Sequence, residues 1–402
     1  MRVLFIAMSN SIHTSRWLSQ FEDLDWDIHL YPSESYPLHS DLNNLTVHDV
    51  FFPKKNYSDS VKLKGVTIKS PELLKLIRGI IYKISPKFRI KKLARLIKHL
   101  KPDIIHSMET QGAGYLLLEA KKMFSGNFPP WIHSIWGSDI YLYGRLNEHK
   151  HRVKDVLSSC NYLICEGQRD IELAKNFISN RNIILISSGS GGFNLKKYSK
   201  FRQTKISSQR KMIMLKGYQG WSGRALVGLR ALERCTDILK DYNIVIYSAA
   251  SEVLIAAELF TISTKIPIII IPRDSSHNEV LSYFGKSRIS LGLSISDGLP
   301  NSLLEAMITG SFPIQSWTSH ASEWIENGVN GMLVPPEDPE IIEEVIRISL
   351  NDDILINTAS EINYRLVEEK LDEKRFLQEV GLRKRLVRPF LKKYNLVDID
   401  KI

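Results

Sequence analysis

Ser294-Ile-Ser-Asp-Gly-Leu-Pro-Asn-Ser-Leu-Leu-Glu-Ala-Met-Ile-Thr-Gly310 follows a β-rich run, Ile289-Ser-Leu-Gly-Leu293. It turns at Gly298 and Pro300, then enters an apolar helical pattern at Leu303, Leu304, Met307 and Ile308. A strand, a tight loop and a helix N-terminus therefore come in succession. The backbone N–H groups and dipole of a helix start favour an anion in such a loop. Two carboxylates flank the turn, Asp297 before the glycine and Glu305 eight residues on. Ionised carboxylates accept hydrogen bonds from hydroxyl groups. A ligand carrying both a diphosphate and hydroxyls matches both features.

The same residues have a plainer reading. Ser302-Leu-Leu-Glu305 fits a helix capping box, and Asp297 before glycine fits ordinary turn chemistry. The rest of the chain has to separate the two.

The chain has 402 residues, 43% hydrophobic and 24% charged, which suits two or three soluble domains with sizeable cores. Its three cysteines, Cys160, Cys165 and Cys235, argue against a disulfide framework and fit a reducing cytoplasm. No Cys/His grouping has metal-ligand spacing, so no metal or other cofactor is expected. Met1-Arg-Val-Leu-Phe-Ile-Ala-Met8 reads as a first strand, not a signal peptide. No apolar run reaches the ~18 residues that span a bilayer.

Strand-like runs alternate with helical patterns throughout. The first series is 3–7, 27–31, 47–52, 103–107, 131–136, 162–165 and 183–187. The second is 212–215, 244–247, 266–271, 289–293, 312–315 and 332–334. Such alternation implies parallel sheets covered on both faces, and one sheet of this many strands would be unusually large. Two doubly wound domains are expected, over 1–195 and 205–372, divided at the Gly/Ser-rich segment that begins at Ser188. A last helix, about 373–394, belongs to no strand pair.

Candidate chemistry gathers at strand ends. The loop after the first strand, Ser9-Asn-Ser-Ile-His-Thr-Ser15, lacks the glycines of a dinucleotide fingerprint. His13 nonetheless lies where open α/β sheets bind ligands. Trp136-Gly-Ser-Asp139 follows another strand of the first series, where Gly137 permits a tight turn. Asp139 would present a carboxylate at the same edge, or cap a following helix. Lys216-Gly-Tyr-Gln-Gly-Trp-Ser-Gly-Arg224 offers three glycines and two cations, a cradle for a diphosphate, and the planar fork of Arg224 could hold oxygens bidentately.

Asp-x-Asp pairs at Asp23/Asp25, Asp25/Asp27 and Asp398/Asp400 read as solvated surface. From Lys75 to Lys101 ten Lys and Arg residues occur with no acidic residue, interleaved with Leu76, Ile80, Leu93 and Ile97. A basic amphipathic segment of this kind suits an anionic membrane surface. Arg383, Lys384, Arg385, Arg388, Lys392 and Lys393 repeat the pattern. The basic segment holds only two aromatics, Tyr82 and Phe88, and no known nucleic-acid-binding motif appears, which argues against nucleic acid.

With these residues in place the chain resembles glycosyltransferase family 4, the retaining enzymes of the GT-B fold. Ser296-Asp-Gly-Leu-Pro-Asn-Ser-Leu-Leu-Glu-Ala-Met307 is similar to the family's Glu-Gly-Phe-Gly-x4-Glu-Ala-Met signature. Gly310-Ser-Phe-Pro-Ile314 and Glu323-Trp-Ile-Glu-Asn-Gly-Val-Asn-Gly-Met-Leu-Val334 resemble the runs that follow it. Lys101-Pro-Asp-Ile-Ile-His106 and Ser11-Ile-His-Thr-Ser-Arg-Trp17 look like motifs of the first domain. The resemblance implies two Rossmann-like domains facing a cleft, with a C-terminal helix (373–402) crossing back to the first. It implies a nucleotide-sugar donor (UDP-, GDP- or ADP-linked) on the second domain and a saccharide or lipid-linked saccharide acceptor on the first. Glu305 would bind the ribose hydroxyls and Asp297 the donor sugar. The donor-side set is Lys216, Gly217, Arg224, Arg273, Gly298, Leu299, Asn301, Ser302, Leu303 and Glu305. His13, Trp136 and Gly137 fall on the acceptor side, and Asp297, Glu305, Arg224 and Asp139 form the catalytic set.

Three positions depart from the family pattern. Asp297 stands for Glu, Trp136 for a His, and the Arg and Lys that usually hold the phosphates are out of register with Lys216 and Arg224. The expected activity is metal-independent, retaining sugar transfer in lipopolysaccharide, capsule or other glycoconjugate synthesis, by a cytoplasmic protein on the inner face of the membrane. Two other readings stay open: a non-catalytic nucleotide-sugar-binding partner subunit, and a sugar-nucleotide epimerase of the same fold.

Overall fold

The structure, a computed structural model, describes residues 1–371 except 23, 36, 54–56, 179–182, 187–194 and 204–205, and omits the side chains of 82 and 183–186. The expected helix over 373–394, the basic cluster from Arg383, the pairs at Asp23 and Asp398, and the core of the Gly/Ser-rich segment lie outside the described residues. The chain divides into two compact units between residues 191 and 192. Leu195 and Tyr198 pack with Leu299, Leu303 and Leu304, so the second unit takes up the chain before the boundary expected at 195.

The first unit holds β1 (Arg2–Ala7), α1 (Ile12–Ser19), β2 (Asp27–Pro32), β3 (Leu45–Pro53), β4 (Val61–Ile68), α2 (Pro71–Ile84) and α3 (Phe88–Leu100). It continues through β5 (Ile104–Met108), α4 (Tyr115–Lys122), β6 (Trp131–Ser134), α5 (Asn147–Ser159), β7 (Tyr162–Cys165), α6 (Gln168–Lys175) and β8 (Ile183–Ile186). The strands form one parallel sheet in the order β4-β3-β2-β1-β5-β6-β7-β8. The order reverses between β1 and β5. Every residue of β5, β6 and β7 is buried, the polar His106, Ser107, His133 and Ser134 included, which pair as His106–Ser134 and Ser107–His133 across β5 and β6.

The second unit holds α7 (Leu195–Tyr198), β9 (Met212–Lys216), α8 (Ala225–Arg234), β10 (Asn243–Tyr247), α9 (Ser251–Thr264), β11 (Ile268–Ile270) and α10 (His277–Lys286). It ends with β12 (Ile289–Gly292), α11 (Asn301–Thr309), β13 (Phe312–Ser316), β14 (Met332–Val334), α12 (Pro339–Asn351) and α13 (Asp353–Leu371). Its parallel sheet runs β11-β10-β9-β12-β13-β14, with Leu215 beside Leu291. Here the order reverses between β9 and β12. Ile213, Leu215, Ile244, Ile246, Ile289, Leu291 and Ile314 fill one core with α8, α9 and α12. Each such side chain contributes roughly 1.5–3 kcal/mol by leaving water. Local chemistry sets the helix limits. Asp338 caps α12 ahead of Pro339, and Gly310 closes α11 at φ 85°, a left-handed conformation that glycine adopts without strain.

Candidate functional site

In open α/β sheets ligands bind outside the carboxyl ends of the strands where the order reverses. In the second unit that point lies between β9 and β12. The loops leaving these two strands are tied together: Arg224 N donates to Leu293 O at 3.0 Å and Ile295 N to Ser222 O at 2.8 Å. Across this junction Lys216 Nζ donates to Asp297 Oδ2 at 3.1 Å. Burial pulls the Lys216 ammonium down, but Asp297, with smaller help from Tyr218 and Glu305, raises it above its ordinary value. Lys216 stays charged and also lies 4.6 Å from the centre of the Tyr218 ring. The second oxygen of Asp297 accepts the Gly298 N–H at 2.9 Å.

The helix α11 begins beside this pair. Its N-cap is Pro300, no side chain caps it, and Ser302 is already helical. The capping box that Ser302 and Glu305 could form is therefore not built. The buried Asn301 Oδ1 has no hydrogen-bond partner, and the Ser302 hydroxyl lies by the Tyr247 phenol. Burial, the largest influence on that phenol, raises its pKa. Glu305, buried one turn into α11, meets His277 Nε2 at 2.8 Å through Oε1. Tyr198 stands edge-on to the His277 ring. His277 was not among the sequence candidates; its signal is faint, a lone histidine one residue past a serine cap in Ser275-Ser-His277.

The structure gives several of the expected donor-side residues other work. Leu299 and Leu303 turn their side chains into an apolar cluster with Leu304, Met307 and Trp324, so only their backbone could meet a ligand. Gly217 is spent on packing: its N–H donates to Tyr247 O, its carbonyl accepts from Ala250, and a Cβ there would lie 2.6 Å from Ala249 Cα. Arg224 pairs through Nε with Glu337 Oε1 at 2.8 Å, and its Nη1 donates to the Gly220 and Gly223 carbonyls. Its fork closes its own loop rather than pointing free into a phosphate cradle. Arg273 holds the Ala249 carbonyl through two nitrogens, at 3.0 and 2.8 Å.

In the first unit the acceptor-side residues come together at the carboxyl edge of β1, β5 and β6. The rings of His13 and Trp136 lie 5.3 Å apart, and Gly137 turns the chain at φ 47°. Asp139 does not present its carboxylate. It is buried, and its Oδ2 accepts from Thr110 N at 2.8 Å, Trp136 N at 2.9 Å and Thr110 Oγ1 at 3.0 Å. It ties two loops together and caps no helix. Burial, then the charge of Glu109, holds its carboxyl well above the usual range. Glu109, which no sequence motif marks, has φ 75° and accepts the N–H groups of Gly112 and Ala113. Burial pushes its carboxyl up to about 7, against the pull of those two N–H groups. Next to it opens a cavity of about 410 Å³ lined by Ser33, Glu34, Arg89, Gln111, Tyr115 and Arg152 among others.

Comparison with known proteins agrees with this layout. The family described as Glycosyl transferase 4-like matches residues 2–87 and 83–166, and Glycosyl transferases group 1 matches 263–366. No curated protein sequence matches the chain. Among solved structures, sucrose-phosphate synthase from Thermosynechococcus elongatus is similar at 13% identity and TM-score 0.71, over 97% of this chain and 99% of that one. Anabaena HepE, solved with UDP, gives 12% identity and TM-score 0.65, over 95% and 98%. The lipopolysaccharide outer core galactosyltransferase WaaB gives 16% and 0.60, over 94% and 97%. The two-sheet architecture is thus the GT-B fold. Between them the two family matches span most of the chain, which belongs to glycosyltransferase family 4 (glycosyl transferases group 1) and is a glycosyltransferase.

Proposed function

We propose that this chain moves a sugar from a nucleoside-diphosphate sugar to a hydroxyl of a saccharide or lipid-linked saccharide, with retention at the anomeric carbon and without a metal ion. The observation that carries the reading is the Lys216–Asp297 pair at the β9/β12 reversal, beside the uncapped start of α11. A diphosphate here would have the Lys216 ammonium and the first N–H groups of α11 for its negative oxygens. Asp297 would turn to the sugar hydroxyls. Glu305, held by His277, would take the ribose hydroxyls.

As the glycosidic bond to the diphosphate breaks, positive charge grows on the sugar ring and negative charge on the leaving oxygen. Lys216 and the helix start would stabilise the second more than the ground state, which lowers the barrier. The acceptor hydroxyl would attack from the face the diphosphate leaves, and a phosphate oxygen would take its proton. Arg224 shapes the loop in this scheme, and Asp139 positions Thr110 and Trp136 on the acceptor side. The cavity beside Gln111 and Arg152 is the candidate acceptor seat.

UDP-glucose is the first donor to test, since HepE has been solved with UDP-glucose. A panel of UDP-, GDP- and ADP-sugars with mixed saccharide acceptors, read by product mass and anomeric NMR, tests the proposal. A product with inverted configuration, or isomerised donor without any acceptor, would overturn it. A partner-subunit role predicts nucleotide binding with no turnover.

A further inference from the structure

The basic segment between Lys75 and Lys101 forms two helices that do different work. In α3, Leu93 and Ile97 are buried in the core with Leu4, Ile105 and Leu117. Lys92 is half-buried there, and burial is the main cause of its lowered pKa. The apolar side of α3 is therefore used up by the fold. The helix α2 lies against β3 and β4 at the sheet edge, and among its described apolar side chains Leu74 alone is buried. Leu73, Leu76, Ile80 and Ile84 are 48, 60, 49 and 79% exposed. Spaced three or four residues apart, they form one line along the helix. Val66 of β4 is exposed too.

Charge says what covers this line. Lys75 and Lys83 on α2, Lys87 just beyond it, and Lys62, Lys64 and Lys69 on and after β4 are all exposed. No acidic residue lies between Glu72 and Asp103. A second exposed apolar line exists in the other unit, at Ile255, Leu259 and Ile262 of α9, but that helix carries no Lys or Arg and two Glu. A protein surface accepts either kind of line, whereas an anionic bilayer accepts only the first. A helix lying in the bilayer interface needs a wide apolar side, basic flanks and no spanning length. α2 has 14 residues, and no described helix is long and apolar enough to cross a membrane.

We propose that α2, with Val66 of β4, is a docking face for an anionic lipid bilayer. Leu73, Leu76, Ile80 and Ile84 enter at the level of the first acyl carbons, while the lysines around them meet headgroup phosphates. The face belongs to the first unit and does not depend on the chemistry of the second.

Co-flotation of the full chain with vesicles tests this, using phosphatidylcholine alone and phosphatidylcholine with 30% phosphatidylglycerol. Retention on the anionic vesicles should exceed that on neutral ones by about tenfold or more and fall with added salt. Leu76→Gln/Ile80→Gln and, separately, Lys75→Glu/Lys83→Glu/Lys87→Glu should each cut retention about tenfold or more without moving the melting temperature. Lys91→Glu/Arg95→Glu on α3 should have the smaller effect. Equal retention on both vesicle types, or α2 variants that bind like the parent chain, would overturn the proposal. So would a dimer in solution that the leucine and isoleucine substitutions convert to monomer, since the line would then be covered by a second copy.

Discussion

His277 Nε2 and Glu305 Oε1 lie 2.8 Å apart, joining the first residue of α10 to a carboxylate one turn into α11. Glu305 does not cap α11, and His277 holds its carboxylate at the helix start, where the proposed donor would meet it. Glu305→Ala should raise donor KM by about 10-fold or more, as expected for a lost buried acceptor worth about 1–3 kcal/mol, and leave the melting temperature nearly unchanged. His277→Ala should give a smaller rise in the same direction. Isothermal titration with UDP against both variants checks the order.

Lys216 is asked to act on the leaving group. Lys216→Ala should lower kcat by about 100-fold or more and bare the Asp297 charge. Adding Asp297→Asn to it should then cost less than the two single effects combined, because the partners share one interaction. Additive losses in steady-state kinetics would separate the two roles.

The Arg224 fork is divided between Glu337 and the carbonyls of Gly220 and Gly223. Loosening the loop should harm binding before chemistry. Arg224→Ala should raise donor KM by several-fold or more with kcat reduced less, and Arg224→Lys should fall between, since an ammonium cannot span both carbonyls. A fall in kcat alone would return the guanidinium to the leaving group.

EDTA should leave the transfer rate unchanged, because Lys216 already supplies the positive charge beside Asp297. Loss of activity on chelation, restored by magnesium or manganese, would contradict the proposed mechanism.

Stability should respond to pH through the first unit. Burial pulls the imidazoles of His106 and His133 down to about 3. In the unfolded chain they take up protons near 6.5. Their contribution is complete above that value and is lost as pH falls from 6.5 toward 3. Glu109 works in the opposite sense. Its carboxyl is pushed up to about 7 from an ordinary 4.5, so its contribution is complete below 4.5 and lost as pH rises through about 7. Glu109→Gln should therefore reduce the loss of stability between pH 5 and pH 8, by about 1–3 kcal/mol in denaturant titrations at the two pH values.

The strands that carry the site were legible because both faces of a parallel sheet are buried and leave continuous apolar runs, as in Met212-Ile-Met-Leu215. β4 was not, because it is an edge strand whose lysines at 62 and 64 read as solvated chain. The run expected over 131–136 stops at Ser134, where the Trp136 N–H turns to Asp139. The edges holding Lys216, Asp297, His13 and Trp136 followed from strand order alone. The work of individual side chains did not. Glycines and arginines in a loop read alike whether they hold a ligand or hold the loop, and only the contacts of Gly217, Arg224 and Arg273 tell the two apart. Asp139 misled for a similar reason, since a carboxylate after a strand can serve two loops from inside as readily as a substrate from outside.

The Lys216–Asp297 contact also bears on which ligands the proposed donor site would reject. Its cation already has a counter-ion, and that counter-ion is tethered. A free inorganic phosphate would have to displace a carboxylate whose local concentration is fixed by the chain rather than by the solution. A ligand offering oxygens to the ammonium and hydroxyls to the carboxylate can exchange with the pair without stranding a charge. On the proposed reading, ordinary anions of the surrounding medium would compete poorly with the tethered carboxylate, and a donor that carries both oxygens and hydroxyls would be favoured over them.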